Sequence, residues 1–134
     1  MRVMIDTNIL ISALLFPSGR MNTLINKITT RYNLVLSSYV VDELLEVTER
    51  KFKDRVGVVD TLLSQIPYEL VYTPQQPPSG AFEIRDRKDY PVLYSAIAED
   101  VDVFITGDKD FDDVDIEKPE ILTATEFLEN YMER

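Results

Sequence analysis

The sequence predicts a three-layer α/β/α sandwich, in which one parallel sheet lies between two layers of helices. Segments of strand length alternate along the chain with longer segments that have helical periodicity. The strand-length segments are mostly apolar, which is typical of parallel strands that are buried on both faces. The chain has 134 residues and shows no repeat or second segment of domain length, so we expect one domain over residues 1–134.

Five segments are predicted to be strands. The first, Arg2–Ile5, is apolar after its first residue and ends at Asp6. Another, residues 101–106, is largely apolar and runs into a Gly-Asp turn. The remaining three are residues 33–36, residues 69–72 and Glu120–Leu122. All five are short, and helical segments separate them along the chain, which favours parallel pairing.

Three helical segments are predicted in the first half of the chain. Residues 8–15 form an apolar segment, and residues 21–31 carry apolar side chains on one face. The third helix starts with a cap from Ser37 or Ser38. Its core side is predicted to hold Val40, Val41, Leu44, Leu45 and Val47.

Three further helices are predicted at residues 55–66, at residues 89–99 and after Thr123. The pattern Thr123-Ala-Thr-Glu126 is typical of a capping box, in which each of the two end side chains bonds the other's backbone N–H. Residues 73–80, with the sequence TPQQPPSG, form the one clear loop because they are rich in residues that break helices and strands.

The chain contains neither histidine nor cysteine, and this excludes several classes of active site. Ser-His-Asp triads, paired-histidine ribonuclease chemistry, thiolate chemistry and zinc held by histidine or cysteine cannot exist here. An enzyme of this composition must use carboxylates, hydroxyls, lysines, arginines, tyrosines or a bound metal. The start of the chain has no uncharged segment long enough to span a bilayer, so we expect a cytoplasmic protein with no targeting segment and no membrane partner.

The net charge of −10 argues against a nucleic-acid partner, since phosphate binding usually needs a basic surface. An acidic protein can still act on nucleic acid if bound cations neutralise its site. Oxygen ligands in a chain without histidine or cysteine fit Mg²⁺ or Mn²⁺ rather than zinc or copper. Any affinity for nucleic acid should therefore be modest, metal-dependent and salt-sensitive.

Two aspartates directly follow predicted strands, at the edge of the sheet where parallel α/β proteins bind ligands. Asp6 ends the first strand, and Asp108 lies in the turn TGDKD after the strand at residues 101–106. If these strands are neighbours, the two carboxylates converge in one crevice. The alternatives are that Asp6 only caps the following helix and that Asp108 only belongs to a hydrophilic turn.

Two further acidic residues have less distinctive surroundings. Glu43 lies on the third helix, where glutamates are usually solvated, and Asp89 stands at the start of a helix, where aspartate is a common cap. Asp86 could supply that cap instead, which would put Asp89 in the first turn. The positions of Glu43 and Asp89 alone do not separate these roles from a role in an active site.

Four segments, in this order along the chain, resemble the PIN-domain family, small nucleases of the kind found as toxins of bacterial and archaeal toxin–antitoxin pairs. They are VMIDTN at the start of the chain, SSYVVDELLE around Glu43, DRKDYPVLYSA around Asp89 and VFITGDKDF around Asp108. The resemblance runs over nearly the whole chain. It implies the strand order 3-2-1-4-5, in which the first and fourth strands are neighbours.

The resemblance also implies a set of site residues. The carboxylates that would hold one or two Mg²⁺ or Mn²⁺ ions are Asp6, Glu43, Asp89 and Asp108. Asp110 would lie close behind them as a further ligand and could share or take over the role of Asp108. Asp86 is near enough to Asp89 to compete for the third ligand position. The polar side chains that would orient water or ligands are Thr7, Asn8 and Thr106.

Basic residues near the implied ligands are candidate RNA contacts, although their alternative role is that of solvated surface. One group follows Glu43 and the other precedes Asp89, and Lys109 adds a single candidate after Asp108. The two groups consist of Arg50, Lys51, Lys53 and Arg55 and of Arg85, Arg87 and Lys88.

The predicted function is therefore metal-dependent hydrolysis of RNA phosphodiester bonds by an endoribonuclease, as the toxin of a toxin–antitoxin pair. The resemblance further implies a small protein antitoxin and a homodimer. One alternative is a catalytically silent PIN-like module that serves as a binding partner or scaffold. Another is a phosphoryl-transfer or receiver-like protein with Asp6 as a covalent acceptor, which leaves Glu43 and the turn around Asp108 without a role.

Overall fold

The computed structural model describes residues 1–16, 18–84 and 86–131. Five parallel strands form one sheet in the order 3-2-1-4-5, which confirms the predicted topology. The strands are β1 (Arg2–Ile5), β2 (Asn33–Ser37), β3 (Glu69–Val71), β4 (Val103–Ile105) and β5 (Glu120–Leu122).

Helices flank the sheet and connect its strands. They are α1 (Thr7–Leu15), α2 (Gly19–Arg31), α3 (Ser38–Lys51), α4 (Val56–Gln65), α5 (Tyr90–Ala98) and α6 (Ala124–Tyr131). One-turn 3₁₀ helices are formed by Lys53–Arg55, Arg87–Asp89 and Lys109–Phe111. Within the described parts of the chain, no helix is long and apolar enough to cross a membrane.

The centre of the sheet is buried on both faces. Val3, Met4 and Ile5 of β1 are all fully buried. Successive side chains of a strand point to opposite faces, so three buried neighbours require a layer of packing on each side. Phe104 and Ile105 of β4 are fully buried in the same way. The three-layer sandwich follows from this pattern.

The pairing of β1 with β4 brings two distant parts of the sequence together. Ile5 lies opposite Ile105, and the backbone N–H of Asp6 donates to the carbonyl oxygen of Ile105 at 3.1 Å. Thr106 continues β4 by one residue, and its N–H donates to Leu122 of β5 at 2.9 Å. Asp6 and Thr106 therefore lie side by side at the carboxyl edge of the sheet.

Side-chain caps set where several helices begin. The Ser37 hydroxyl accepts from the N–H of Val40 at 3.2 Å, so Ser37 is the cap of α3. The capping box of α6 is reciprocal: the N–H of Thr123 donates to Glu126 at 2.9 Å, and that of Glu126 donates to Thr123 at 3.1 Å. Both local predictions are confirmed, since each depends on contacts only three residues apart.

The structure corrects several predicted boundaries. The strand predicted over residues 101–106 is shorter, because pairing of β4 covers only Val103–Ile105. The helix predicted over residues 55–66 is α4, Val56–Gln65, and Arg55 belongs to the one-turn helix before it. The helix predicted from residue 89 has Asp89 in its preceding one-turn 3₁₀ helix.

Leu45 was predicted to lie on the core side of α3, and this prediction is wrong. Leu45 is 37% exposed, whereas Val40, Leu44 and Thr48 are the buried residues of the helix. These three are spaced by four residues and share one face, and Leu45 is turned about 100° away from Leu44. Thr48 is buried without cost because its hydroxyl donates to the Leu44 carbonyl oxygen at 2.7 Å.

Candidate active site

A cleft of about 380 Å³ opens beside the carboxyl ends of β1 and β4. Parallel sheets place ligand sites at this edge, where the loops after two neighbouring strands separate. Five carboxylates line the cleft: Asp6, Glu43, Asp86, Asp89 and Asp108. All four of the sequence-predicted carboxylates therefore lie around one space, and Asp86 joins them.

Asp6 lies at the bottom of this arrangement and is only 6% exposed. One carboxylate oxygen, Oδ1, accepts from the N–H of Ile9 at 2.9 Å and so caps α1. The other, Oδ2, accepts a hydrogen bond from the Thr106 hydroxyl. Asp6 thus has both roles considered for it, that of a helix cap and that of a cleft carboxylate.

The Thr106 hydroxyl connects the ends of β1 and β4 through hydrogen bonds. Its Oγ1 donates to Asp6 and accepts from the backbone N–H of Asp108 at 3.0 Å. Asp108 in turn accepts, through Oδ1, from the N–H of Asp110 at 2.9 Å. The hydrophilic-turn alternative for Asp108 is also correct, because this bond holds the one-turn helix Lys109–Phe111. The turn fixes where the Asp108 carboxylate lies relative to Asp6.

The surroundings of Asp6 raise the pKa of its carboxyl. Burial raises the pKa of its carboxyl, the hydrogen bonds from Thr106 and Ile9 lower it, and the charges of Asp108 and Glu43 raise it again. The net effect is a raised pKa. A cation in the cleft would reverse this tendency, because it favours the charged form of each neighbouring carboxylate.

Asp89 is the most strongly perturbed carboxyl in the cleft. Its pKa is raised to about 7, chiefly by burial and then by the charges of Asp108 and Asp86, a hydrogen bond with Asp108 and the charge of Asp110. Asp86, not Asp89, caps the one-turn helix by accepting from the N–H of Lys88 at 3.0 Å. Asp89 is therefore not used for capping and is held half-buried against other carboxylates.

Asp89 is also one of three aspartates whose carboxylates lie close together. Asp86, Asp89 and Asp110 each offer one carboxylate oxygen, and these three atoms lie within 4.8 Å of one another. Both alternatives considered from the sequence, Asp86 and Asp110, are thus near Asp89. Asp86 and Asp89 belong both to this group and to the lining of the cleft, which they share with Asp6, Glu43 and Asp108.

Two buried oxygens in the cleft have no hydrogen-bond partner among the described residues. They are Oδ2 of Asp89 and Oγ1 of Thr7. A buried polar atom without a partner is costly, and in native proteins it is often satisfied by an ion or a water. These atoms, and a donor set made only of oxygens, fit a hard divalent cation such as Mg²⁺ or Mn²⁺.

Glu43 reaches the cleft from α3. Although glutamates on helices are usually solvated, Glu43 is half-buried and lines the cleft. Its charge contributes to the raised pKa values of both Asp6 and Tyr39. Glu43 therefore faces the cluster of carboxylates.

Tyr39 is a cleft-side residue that the sequence did not single out. Its hydroxyl donates to the Lys88 carbonyl oxygen at 3.3 Å. Burial and the charges of Glu43, Asp89 and Asp86 raise its pKa. The signal in the sequence was spacing, since residues four apart on a helix share a face and Tyr39 precedes Glu43 by four.

Of the predicted polar and basic residues, several line the cleft: Thr7, Asn8, Lys51 and Lys88. Two others have partners elsewhere. Arg50 pairs with Glu46 at 2.8 Å on the surface of α3, and Arg55 donates to the Leu15 carbonyl oxygen at 3.2 Å. Lys53 and Lys109 are exposed on one-turn helices, Arg87 lines a separate pocket, and Arg85 lies outside the described residues.

Known structures with the same fold include three bacterial proteins. VapBC2 from Rickettsia felis, solved bound to a promoter DNA fragment, is 20% identical, with a TM-score of 0.70 over 91% of this chain and 97% of that chain. VapBC-1 from nontypeable Haemophilus influenzae is 18% identical, with a TM-score of 0.65 over 93% and 99%.

The third is Mycobacterium tuberculosis VapC20, a toxin that cleaves the sarcin-ricin loop. It is 13% identical, with a TM-score of 0.57 over 82% of this chain and 92% of that chain. At these identities the likeness concerns the fold. No curated protein matches the sequence.

The PIN domain family matches residues 2–110, which is most of the chain. The matched region contains β1 with Asp6, α3 with Glu43, and the turns that carry Asp89 and Asp108. The family match and the sheet order agree, and this chain belongs to the PIN-domain family.

Proposed function

We propose that this protein is a divalent-metal-dependent endoribonuclease that hydrolyses RNA phosphodiester bonds as the toxin of a toxin–antitoxin pair. The observation that carries the proposal is the convergence of Asp6, Glu43, Asp89 and Asp108 on one cleft at the carboxyl edge of the sheet. Burial raises the pKa of both Asp89 and Asp6, and repulsion adds to it: the charge of Asp108 acts on both residues, and that of Glu43 acts on Asp6. Carboxylates that repel one another at neutral pH are suited to binding a cation, because the cation offsets their charge.

The proposed ligands of one or two Mg²⁺ or Mn²⁺ ions are these four carboxylates, with Asp110 beside Asp89 as a further ligand. Asp86 is the alternative, since its carboxylate lies close to those of Asp89 and Asp110. A divalent ion bound there supplies positive charge to a phosphodiester and lowers the pKa of an attacking water.

The remaining cleft residues have roles that follow from their contacts. Thr106 orients the Asp6 carboxylate through its hydroxyl, and the same hydroxyl fixes the backbone of Asp108. Lys51 and Lys88 line the cleft and are the candidates for phosphate contact. Thr7 and Asn8 offer polar side chains at the same edge, where they would orient a water or an RNA oxygen.

The biological part of the proposal rests on the fold neighbours. Two of them are VapBC proteins, and VapC20 is a toxin that cleaves the sarcin-ricin loop. From this likeness we propose that the protein cleaves RNA and binds a protein antitoxin. We also propose that it forms a homodimer and acts in the cytoplasm.

The alternative functions make different demands on Asp6. A covalent phosphate acceptor at Asp6 would leave Glu43 and Asp108 without a role, although both line the same cleft as Asp6. This disfavours the phosphoryl-transfer alternative. A scaffold without activity has no need for clustered carboxylates, whose mutual repulsion costs stability.

The test is cleavage of a mixed pool of structured RNAs with Mg²⁺ or Mn²⁺ and with EDTA. The wild type is compared with Asp6→Asn and with Asp60→Asn, a control that removes the same charge from an exposed position on α4. Asparagine can still accept from Ile9, so the variant should keep the cap of α1. We expect metal-dependent cleavage that Asp6→Asn abolishes and Asp60→Asn leaves unchanged.

The other outcomes are equally informative. Equal cleavage by the wild type and Asp6→Asn would show that the activity does not come from this cleft. If neither protein cuts, calorimetric titration with Mn²⁺ follows. Binding by the wild type alone would support the metal centre, and absence of binding would favour the scaffold alternative.

A further inference from the structure

A second pocket, of about 740 Å³, lies on the other side of the segment that carries Asp89. Its floor is aromatic. The rings of Phe82 and Tyr90 stack with centroids 4.5 Å apart and planes 16° apart, and Tyr94 continues the stack at 6.1 Å from Tyr90 with an angle of 19°. Phe82 and Tyr90 both line the pocket, and Phe82 is the end member of the stack. The pocket is thus lined by two stacked aromatic rings, and its volume is large enough for a planar ring.

The aromatic floor is held in place by the loop that precedes it. The Tyr90 hydroxyl donates to the Pro78 carbonyl oxygen and accepts from the N–H of Ala81 at 3.2 Å. Gly80 makes the turn between them with φ +92, a conformation that side chains rarely adopt. The loop and the ring therefore fix each other, and the stack is formed before any ligand arrives.

The pocket and the carboxylate cleft share one wall. Lys88, Asp89 and Val92 line the cleft, whereas Arg87 and Tyr90 line the pocket. The wall is only the one-turn helix and the first turn of α5, about one helix diameter or ~10 Å across. Neighbouring nucleotides of one strand are separated by a similar or smaller distance, so a strand held in the cleft can reach the pocket.

We propose that this pocket binds an unpaired nucleobase of an RNA strand whose phosphodiester lies in the cleft. The proposal deepens the proposed function and rests on it for the position of the scissile bond. Aromatic side chains bind unstacked bases of single-stranded RNA through their π-faces. Arg87 and Glu83 also line the pocket. The Arg87 guanidinium can donate hydrogen bonds to the edge of a base, and the Glu83 carboxylate can accept them.

Charge also favours a base as the ligand. With a net charge of −10, the chain gains little from non-specific attraction to phosphates. Stacking supplies affinity that does not depend on a basic surface, and it requires bases that are not already paired. The pocket would therefore direct the enzyme to loops, bulges or single strands.

The test is fluorescence anisotropy in EDTA, which prevents cleavage and isolates the stacking contribution that does not depend on a metal. The ligands are a short labelled single-stranded RNA and the same RNA annealed to its complement. The variants are Phe82→Leu, which keeps apolar bulk but loses the ring, and Phe82→Tyr, which keeps the ring. Tyr72→Leu is the control, because Tyr72 is 77% exposed and lies outside the pocket. Circular dichroism melting verifies that each variant is folded.

We expect the wild type to prefer the single strand and Phe82→Leu to weaken that binding about tenfold. Phe82→Tyr and Tyr72→Leu should bind as the wild type does. Unchanged binding by folded Phe82→Leu, or an equal loss for duplex and single strand, would overturn the proposal. If Phe82→Leu does not fold, the ring-proton NMR signals of Phe82 and Tyr90 in the wild type decide: they must shift on addition of the single-stranded RNA.

Cleavage kinetics separate this proposal from the proposed function. Loss of the ring should raise KM for single-stranded RNA and leave kcat nearly unchanged, whereas loss of Asp6 should abolish kcat. If RNA binding depends on the Phe82 ring but no metal-dependent cleavage occurs, the base-binding pocket is supported and the proposed nuclease activity is refuted. If the protein cleaves RNA but loss of the Phe82 ring changes neither binding nor KM, the base-binding pocket is refuted and the nuclease activity is supported.

Discussion

Replacing Asp89 with asparagine tests whether the carboxylates of the cleft repel one another in the metal-free protein. Asp89 is half-buried, and its pKa is raised to about 7 by burial and by the charges of Asp108, Asp86 and Asp110. Asparagine has nearly the same shape and no charge, and its amide can donate to Asp108. The substitution therefore removes the repulsion and keeps the packing.

The size of the effect follows from the pKa. A rise from the ordinary value of 3.8 to about 7 corresponds to a penalty of about 4 kcal/mol on the carboxylate form. Asp89 is partly exposed, so solvent screening reduces this to on the order of 1–2 kcal/mol. In EDTA at pH 8, Asp89→Asn should be more stable than the wild type by that amount.

The pH dependence has a definite sign. Because the pKa of Asp89 is higher in the folded protein, the folded state keeps its proton over a range in which the unfolded state has lost it. The contribution of Asp89 to stability is therefore present below about pH 4 and is lost as the pH rises to about 7. The stability of Asp89→Asn should therefore fall less than that of the wild type as the pH rises from about 4 to about 7.

Urea denaturation in EDTA at pH 5 and pH 8, followed by circular dichroism, measures the effect. Addition of Mg²⁺ or Mn²⁺ at pH 8 should stabilise the wild type and have a much smaller effect on Asp89→Asn. A variant that is less stable than the wild type at pH 8 without metal would refute the repulsion argument. So would an identical pH dependence of the two proteins.

Three further substitutions have expected outcomes. Thr106→Val removes the hydroxyl that bonds Asp6 and the Asp108 backbone, so it should lower kcat about tenfold to a hundredfold and the free energy of unfolding by about 1–3 kcal/mol. Leu93→Ala empties a fully buried position of α5 and should cost about 2–5 kcal/mol in urea denaturation. Thr123→Ala removes the cap of α6 and should cost about 1 kcal/mol in the same assay.

Each of these has a matched control. Thr106→Ser keeps the hydroxyl and should retain most activity, and equal losses for serine and valine would contradict the positioning role. Leu45→Ala truncates an exposed leucine and should change stability by less than about 0.5 kcal/mol. Thr125→Ala alters an exposed threonine of α6 that is not in the capping box, so a loss equal to that of Thr123→Ala would argue against the cap.

Several features of this protein could be predicted from the sequence because they depend on residues close together in the chain. The caps at Ser37 and Thr123 are formed with partners three residues away. The strands at β1 and β4 are visible because their apolar side chains must be buried on both faces. Composition alone limits the metal chemistry to oxygen ligands, because a chain without histidine and cysteine has no imidazole or thiolate to offer.

Periodicity alone did not determine the strand order, since alternation of strands and helices is compatible with several sheets. The order 3-2-1-4-5 was expected from the resemblance to PIN domains, and the structure confirms it. The position of Leu45 shows the limit at the level of one residue. An apolar residue can lie beside a buried neighbour and still be exposed, because a helix turns about 100° per residue.

The amino-acid sequence by itself determined the fold class, the local caps and the oxygen-only chemistry of this protein. Only the tertiary structure decided which groups meet: Thr106 with Asp6, Asp86 with Asp110, and Tyr39 with Glu43 and Asp89. Local signals are strong where partners lie within one turn of a helix. Contacts between residues a hundred positions apart depend on how the strands pair, and that pairing is a property of the whole folded chain.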